Sequence, residues 1–196
     1  MKIKKINVIT ILFVIIFIFG FSGCKNSTEK KVEKEKEFMS ASWAYNYSDI
    51  EEISQASDII ALVKVDSIVD SCDTSSVPYT EYKVEVIEGI YNISDDDDFV
   101  IVMTGVETED KIIEIEDDPL MANGEEYLIF CKQNNDGTYR IISGSQGRLL
   151  YEDGKLNSLN VVNQQVRSAN NFSSITVQNE DAQELIEKIK TYVNIE

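Results

Sequence analysis

Carboxylates are the side chains that this chain supplies most freely for chemistry, and histidine is missing altogether. The 196 residues contain 35 Asp and Glu, 18 Lys and Arg and no His. The chain therefore has no Ser-His-Asp or Cys-His nucleophile, no His-ligated zinc and no histidine pH switch. Ser145, between Gly144 and Gly147, has one intervening residue too few for a nucleophile elbow. Paired acids for glycoside hydrolysis stay open, but their abundance singles out no pair. We predict that the protein is not an enzyme.

The densest charge cluster is a run of four acids, Asp95, Asp96, Asp97 and Asp98. Calcium needs six to eight oxygen ligands from a loop of defined spacing, and this run does not match the EF-hand pattern. Adjacent residues of a strand point to opposite faces, so four acids in a row converge only where the chain turns. A solvated hairpin tip is the main interpretation, and a specific calcium site is the alternative. We predict no cofactor.

The amino end combines a basic start with an apolar run and a cysteine. Lys2, Lys4 and Lys5 precede the apolar run 8–21, and Ser22 and Gly23 lead to Cys24. The run of about 14 residues suits a signal peptide and falls short of the ~20 that cross a bilayer. This order resembles a bacterial lipoprotein signal peptide with its lipobox.

The resemblance implies that residues 1–23 are cleaved and that Cys24 carries a diacylglyceryl group. Two acyl chains hold a protein stably on a membrane, so the expected location is the outer, extracytoplasmic face of the cell membrane. An uncleaved signal anchor is the alternative.

A charged segment follows the cysteine. Residues 25–37 contain five Lys, four Glu and a single apolar residue, Val32. Such a segment buries too little surface to offset its conformational entropy, so residues 24–37 are predicted to be a mobile tether. A short exposed helix is the alternative, because Glu and Lys recur near i,i+4 spacing.

Residues 38–196 have the length of one domain and carry 10 Lys and Arg against 31 Asp and Glu. An acidic surface of this size repels nucleic acid and anionic head groups, so no nucleic-acid partner is expected. Cationic partners and divalent ions stay open.

Two cysteines remain after Cys24, namely Cys72 and Cys131. An exported pair permits a disulfide. Cys131 also ends the apolar run 127–130, where a free buried thiol fits equally well. The sequence leaves both readings open.

The rest of the chain reads as short strands between two helices. A capping residue and one apolar face predict a short helix over 48–57, and the apolar face of 180–193 predicts an amphipathic helix at the carboxyl end. Alternation and turn residues predict strands between them. They cover 58–69, 80–87, 99–103, 111–116, 126–132, 138–142, 147–151 and 155–159. This pattern predicts a mainly β protein with a closed or nearly closed antiparallel barrel.

Three aromatic residues, Trp43, Tyr45 and Tyr47, alternate just before the first helix. They are predicted either to pack over an open end of the barrel or to line an exposed binding surface for sugar or peptide.

Five stretches taken together carry a second resemblance. They are 57–65, 82–89, 100–105, 120–130 and 144–148. Their order resembles a loose group of uncharacterised exported bacterial proteins and is similar, more distantly, to the OB-fold barrel of netrin-like modules and tissue inhibitors of metalloproteinases. The resemblance implies a small OB-like barrel, a fold that commonly binds ligands on one face with its flanking loops, here 71–78 and 106–118. Inhibition in that family rests on an amino-terminal cysteine framework that this chain lacks.

These observations together predict a lipid-anchored extracytoplasmic lipoprotein that is a non-catalytic binding module for an envelope protein or glycan. The alternative function is a carboxylate-dependent hydrolase of the cell envelope.

Overall fold

The computed structural model describes residues 34–159 and 175–194, which belong to a compact unit that begins at Lys34. The predicted signal peptide 1–23, the lipidation site Cys24 and the tether as far as Glu33 lie outside the described residues. The end of the predicted tether does not: Glu35–Met39 is strand β1 of the domain. Residues 35–37, which the sequence predicted as the end of the tether, therefore pair through their backbone with the distant strand Lys111–Ile115, although all three side chains are charged.

The described residues form ten strands and two α-helices. The strands are β1 Glu35–Met39, β2 Ile59–Cys72, β3 Tyr79–Tyr91, β4 Asp98–Glu107, β5 Lys111–Ile115, β6 Glu126–Gln133, β7 Tyr139–Ile141, β8 Arg148–Glu152, β9 Lys155–Ser158 and β10 Glu180–Asp181. The helices are α1 Ile50–Ala56 and α2 Ala182–Val193, and Gly144–Gly147 forms a 3-10 turn before β8.

A ring of five strands closes into a barrel. The sheet runs in the order β1-β5-β4-β3-β2-β6-β8-β9-β10, and β7 pairs with both β4 and β6. The ring is therefore β2-β3-β4-β7-β6. Its ladders are antiparallel except at β4–β7, where the single pair Ile101 and Tyr139 runs parallel. The prediction of a mainly β protein with a small closed barrel is confirmed.

The barrel core comes from strand alternation. Tyr82, Val84 and Val86 of β3 are buried together with Val63 and Val65 of β2. The β2–β3 ladder has register shifts, two of them leaving an extra residue on β2, at Asp66 and Val69. Such bulges bend and twist a strand, which lets this long hairpin curl around the core.

A second core lies between the outer face of the barrel and the helices. Ile53 of α1 and Leu185, Ile186 and Ile189 of α2 pack with buried side chains of β2, β6, β8 and β9, among them Leu62, Leu128, Phe130, Leu149 and Leu156. Strands β2 and β6 thus bury both faces over part of their length, and this explains why 59–63 and 127–131 are continuous apolar runs. Asp49 and Asp181 cap α1 and α2 by accepting the backbone N–H of the third residue beyond them.

Candidate binding surface

The aromatic segment, residues 43–47, lies against the 3-10 turn that precedes β8. Trp43 packs over Gly144, where an added Cβ would overlap the indole ring. Gly144 also has a φ of +56°, in the left-handed region that favours glycine. Glycine at position 144 therefore satisfies two requirements, a close approach by Trp43 and a backbone turn.

Hydrogen bonds hold the aromatic segment in place. The backbone N–H of Tyr47 donates to Oε1 of Gln146 at 3.1 Å, and Nε2 of Gln146 donates to the Tyr47 carbonyl at 3.2 Å. Just before the turn, the Ser143 hydroxyl donates to the Tyr45 carbonyl at 2.6 Å. The backbone of the segment is thus held at Tyr45 and Tyr47, and Trp43 is held by its packing on Gly144.

The three aromatic residues divide between the two predicted roles. Tyr47 is buried among the residues that pack on α1, and this burial raises the pKa of its phenol. Trp43 is 38% exposed and Tyr45 is 72% exposed. An exposed aromatic ring held by a rigid backbone loses little conformational entropy on binding a ligand. Trp43 and Tyr45 therefore form a preorganised surface that suits apolar, sugar or cationic groups.

An open cleft of about 760 Å³ lies elsewhere, between the β3–β4 turn and the β6–β7 turn. Its lining includes Asp97, Asp98 and Asp136 together with Tyr139. Asp136 accepts hydrogen bonds from the backbone and the hydroxyl of Thr138, which lower the pKa of its carboxyl. The cleft is acidic, but the carboxylate of Asp136 is engaged in stabilising its own turn through Thr138.

The four-acid run is also a structured turn. Asp95 accepts the N–H of Gly89 at 2.6 Å, Asp97 accepts that of Ser94 at 3.1 Å, and Asp98 pairs with Lys83 at 2.8 Å. Asp96 has a φ of +63° at the reversal of the chain. Within 34–159 and 175–194, no group of three or more His, Cys, Asp or Glu side chains is placed to share a metal ion. The run is therefore a hairpin tip in which three of the four carboxylates are engaged in hydrogen bonds or an ion pair.

A buried ion pair was missed by the sequence reasoning. Arg148, the first residue of β8, is fully buried, and its Nη2 donates to Asp118 at 2.8 Å and to the Pro119 carbonyl. The Tyr127 ring lies 5.2 Å from the guanidinium carbon, and Nε of Arg148 has no hydrogen-bond partner. Desolvation raises the pKa of Asp118, although the guanidinium opposes this shift. The one available signal was an arginine next to the apolar run 149–151.

Burial also perturbs the two tyrosines of this region. It raises the pKa of Tyr82 to about 12 and raises the pKa of Tyr127 further, in both cases against the opposing charge of Arg148. The end of the barrel under residues 116–121 therefore combines a buried cation with phenol groups that stay protonated at neutral pH.

Of the two alternatives that the sequence left open for Cys72 and Cys131, the structure has the free thiols and not the disulfide. Cys131 lies opposite Ile59, the first residue of β2, whereas Cys72 is the last residue of that 14-residue strand. At about 3.3 Å per residue the two positions are roughly 40 Å apart along the strand, far beyond the ~7 Å that a disulfide spans.

The two loops predicted to flank a binding face differ in structure. Residues 73–78 are the β2–β3 connection, whereas much of 106–118 is the β4–β5 hairpin. The two segments predicted to flank a binding face are therefore one loop and one paired hairpin.

No family model matches the chain, and a search of curated proteins finds no similar sequence. The part of the chain that the structure describes contains no helix that is long and apolar enough to span a membrane.

Proposed function

We propose that the protein is a lipid-anchored extracytoplasmic lipoprotein whose domain is a non-catalytic binding module. The observation that carries the binding role is the exposure of Trp43 and Tyr45 on a segment that hydrogen bonds hold to the turn Gly144–Gly147. The proposed location at the membrane rests on the order of the basic start, the apolar run and Cys24.

The partner that fits this surface is a basic segment of another envelope protein. Residues 38–196 carry 31 Asp and Glu against 10 Lys and Arg, so they attract cationic chains over long range. Exposed aromatic faces add short-range attraction for Lys and Arg, about 0.5–1 kcal/mol for each exposed contact.

We also propose that the barrel is an OB-like module. Its ring has five strands: β2, β3 and β4 are consecutive in the chain, and β6 and β7 complete the closure, an arrangement that supports this assignment. Modules of that type commonly bind on one face, which agrees with a binding role.

The binding proposal is testable through Trp43, the only tryptophan of the chain. The full chain is titrated with an oligoarginine peptide near physiological salt while tryptophan fluorescence is followed. We expect a saturable change in emission that Tyr45→Ala weakens. Tyr79→Ala is the matched control, because Tyr79 lies on β3 and bonds to Asp70 instead.

Two results would overturn the proposed partner class. An emission that does not respond to the peptide, or that responds equally in both variants, removes the aromatic surface from binding. A response to a neutral oligosaccharide but not to oligoarginine identifies a glycan as the ligand.

The proposed lipid anchor is tested separately. Membrane fractionation compares the wild type with Cys24→Ala, which cannot receive a lipid on that thiol. We expect the variant to lose stable membrane attachment, because two acyl chains provide it. A variant that stays as membrane-bound as the wild type would exclude the lipid anchor.

The hydrolase alternative gains no specific support from the described acids. Asp118 has a raised pKa, as a general acid requires, but it is buried against Arg148 and does not line the cleft. In the cleft itself, Asp136 has a lowered pKa. We therefore do not propose this activity.

A further inference from the structure

Strand β1 is attached to the domain in an unusual way. Glu35, Lys36, Glu37 and Phe38 are exposed and Met39 is half-buried, so the strand buries no side chain fully. It pairs in parallel with β5 at the edge of the sheet, from Glu35 opposite Lys111 to Met39 opposite Ile115. Backbone hydrogen bonds and ion pairs therefore hold it, rather than apolar burial.

One of these ion pairs joins an exposed lysine to a buried carboxylate. Lys36 binds Glu114 of β5 at 2.9 Å, and the side chain of Glu114 is only 7% exposed. The second oxygen of Glu114 accepts the backbone N–H of Leu120 at 3.3 Å. Glu114 thus connects β1 to the segment 116–121, which follows β5.

The same segment is held from the other side by Arg148. Asp118 and the Pro119 carbonyl both accept from its guanidinium. Desolvation raises the pKa of Asp118, and the negative charge of Glu114 adds to this effect. Two partly desolvated carboxylates are therefore balanced by two cations, and only one of these, Arg148, lies in the barrel.

We propose that β1 is a releasable strap that controls the segment 116–121 through Lys36. When β1 leaves β5, Glu114 loses its cation and repels Asp118, and the hold on Leu120 and on the Asp118–Arg148 pair weakens. The segment then loosens over the buried Arg148 and Tyr127. Under the proposed lipid anchor, β1 is the described strand nearest to Cys24 in the sequence, so a load on the anchored end reaches it before the other described strands. The coupling itself does not depend on the anchor.

Hydrogen exchange of the full chain tests the strap. Lys36→Gln removes the cation at Glu114, and Lys111→Gln is the matched control. Lys111 pairs with Glu37 at 3.4 Å, joins the same two strands and has no bond to Glu114. We expect Lys36→Gln to speed exchange in 116–121 at least about fivefold, the lower end of typical coupling between sites. Lys111→Gln should affect only β1, and Lys36→Arg should resemble the wild type.

A double-mutant cycle separates coupling from general loosening. In a Glu114→Gln background, we expect Lys36→Gln to add no further exchange in 116–121. The proposal is overturned if Lys36→Gln leaves 116–121 unchanged, if Lys111→Gln loosens the segment equally, or if the effect of Lys36→Gln persists without Glu114. Each readout is independent of lipidation, so failure here is distinct from failure of the proposed anchor.

Discussion

Cys72 and Cys131 show how strongly position along one strand pair sets the chemistry of a side chain. Cys131 is completely buried in the barrel core, and desolvation raises the pKa of its thiol. Cys72 is half-buried at the end of β2, where hydrogen bonds from Thr74 and Ser75 lower its pKa. The thiolate is the reactive form of cysteine, so the two residues should differ widely in reactivity.

We predict that iodoacetamide at pH 8 modifies Cys72 in the folded protein and modifies Cys131 only after unfolding. Peptide mapping by mass spectrometry distinguishes the two sites, and in protein lipidated at Cys24 the Cys72→Ser variant should show no labelling in the folded state. Equal labelling of both cysteines, or a protein whose two thiols are protected until a reductant is added, would contradict the structure.

At the residue scale, the sequence predicted the exposed part of the candidate site better than its buried part. The alternation of Trp43, Tyr45 and Tyr47 marked the aromatic segment, although only packing against Gly144 and Gln146 decides which rings face solvent. The Asp118–Arg148 pair joins residues 30 positions apart. Neither residue type is expected to be buried, so the pair follows only from the fold.

At the element scale, Arg148 and Asp118 tie the start of β8 to the segment between β5 and β6. Forming a buried ion pair costs desolvation free energy. Removing only one of its partners costs more, because it leaves a desolvated charge without a counter-ion. This pair is therefore a poor measure of net stabilisation, yet single substitutions in it should be severe.

We predict that Asp118→Ala lowers the free energy of unfolding by about 3–5 kcal/mol, measured by urea denaturation. The Arg148→Met, Asp118→Ala double variant should be less destabilised than the sum of its two single variants, because it leaves no unpaired charge. Lys111→Ala, at an exposed ion pair, should change the free energy by no more than about 1 kcal/mol. Additive losses in the double variant would show that the two residues do not interact.

The elements that the sequence predicted are those with strong periodicity or continuous apolar runs. Strand β1 escaped prediction because it is an exposed edge strand of charged residues, and its pairing partner β5 lies more than 70 positions away. The extension of β3 to Tyr91 was also missed: Gly89 suggested an end, but its N–H is bonded to Asp95 and the strand continues. Local patterns carry no signal for such long-range pairing. For the same reason the sequence predicted a closed barrel without identifying β4 and β7 as the strands that close it.

At the scale of the whole molecule, the excess of acids sets the response to ions. The charge of the domain is spread over many side chains, and three of the four carboxylates of the four-acid run contact Gly89, Ser94 and Lys83. Divalent ions should therefore relieve the repulsion diffusely rather than at one site.

We predict that calcium raises the melting temperature only slightly, that magnesium matches it, and that Asp97→Asn does not alter the effect. The substitution keeps an oxygen acceptor for Ser94, so it tests metal binding with little harm to the turn. A saturable rise produced by calcium alone and blunted by Asp97→Asn would instead establish a specific site, since binding to the folded state adds about 2.7 kcal/mol at 100 times the Kd.

The closure of the barrel at Ile101 and Tyr139 gives the molecule a preferred seam. Every other junction of the ring is a ladder of several residue pairs, whereas this one has a single pair. An edge-to-face contact between the rings of Phe99 and Tyr139, whose centroids are 5.0 Å apart, reinforces it. Local opening follows the junction with the fewest bonds. The barrel should therefore open locally by separation of β4 from β7. The β2–β3–β4 meander should stay paired as a cooperative unit. Tyr139 also lines the acidic cleft. A ligand bound in the cleft would therefore contact this junction and should slow its opening.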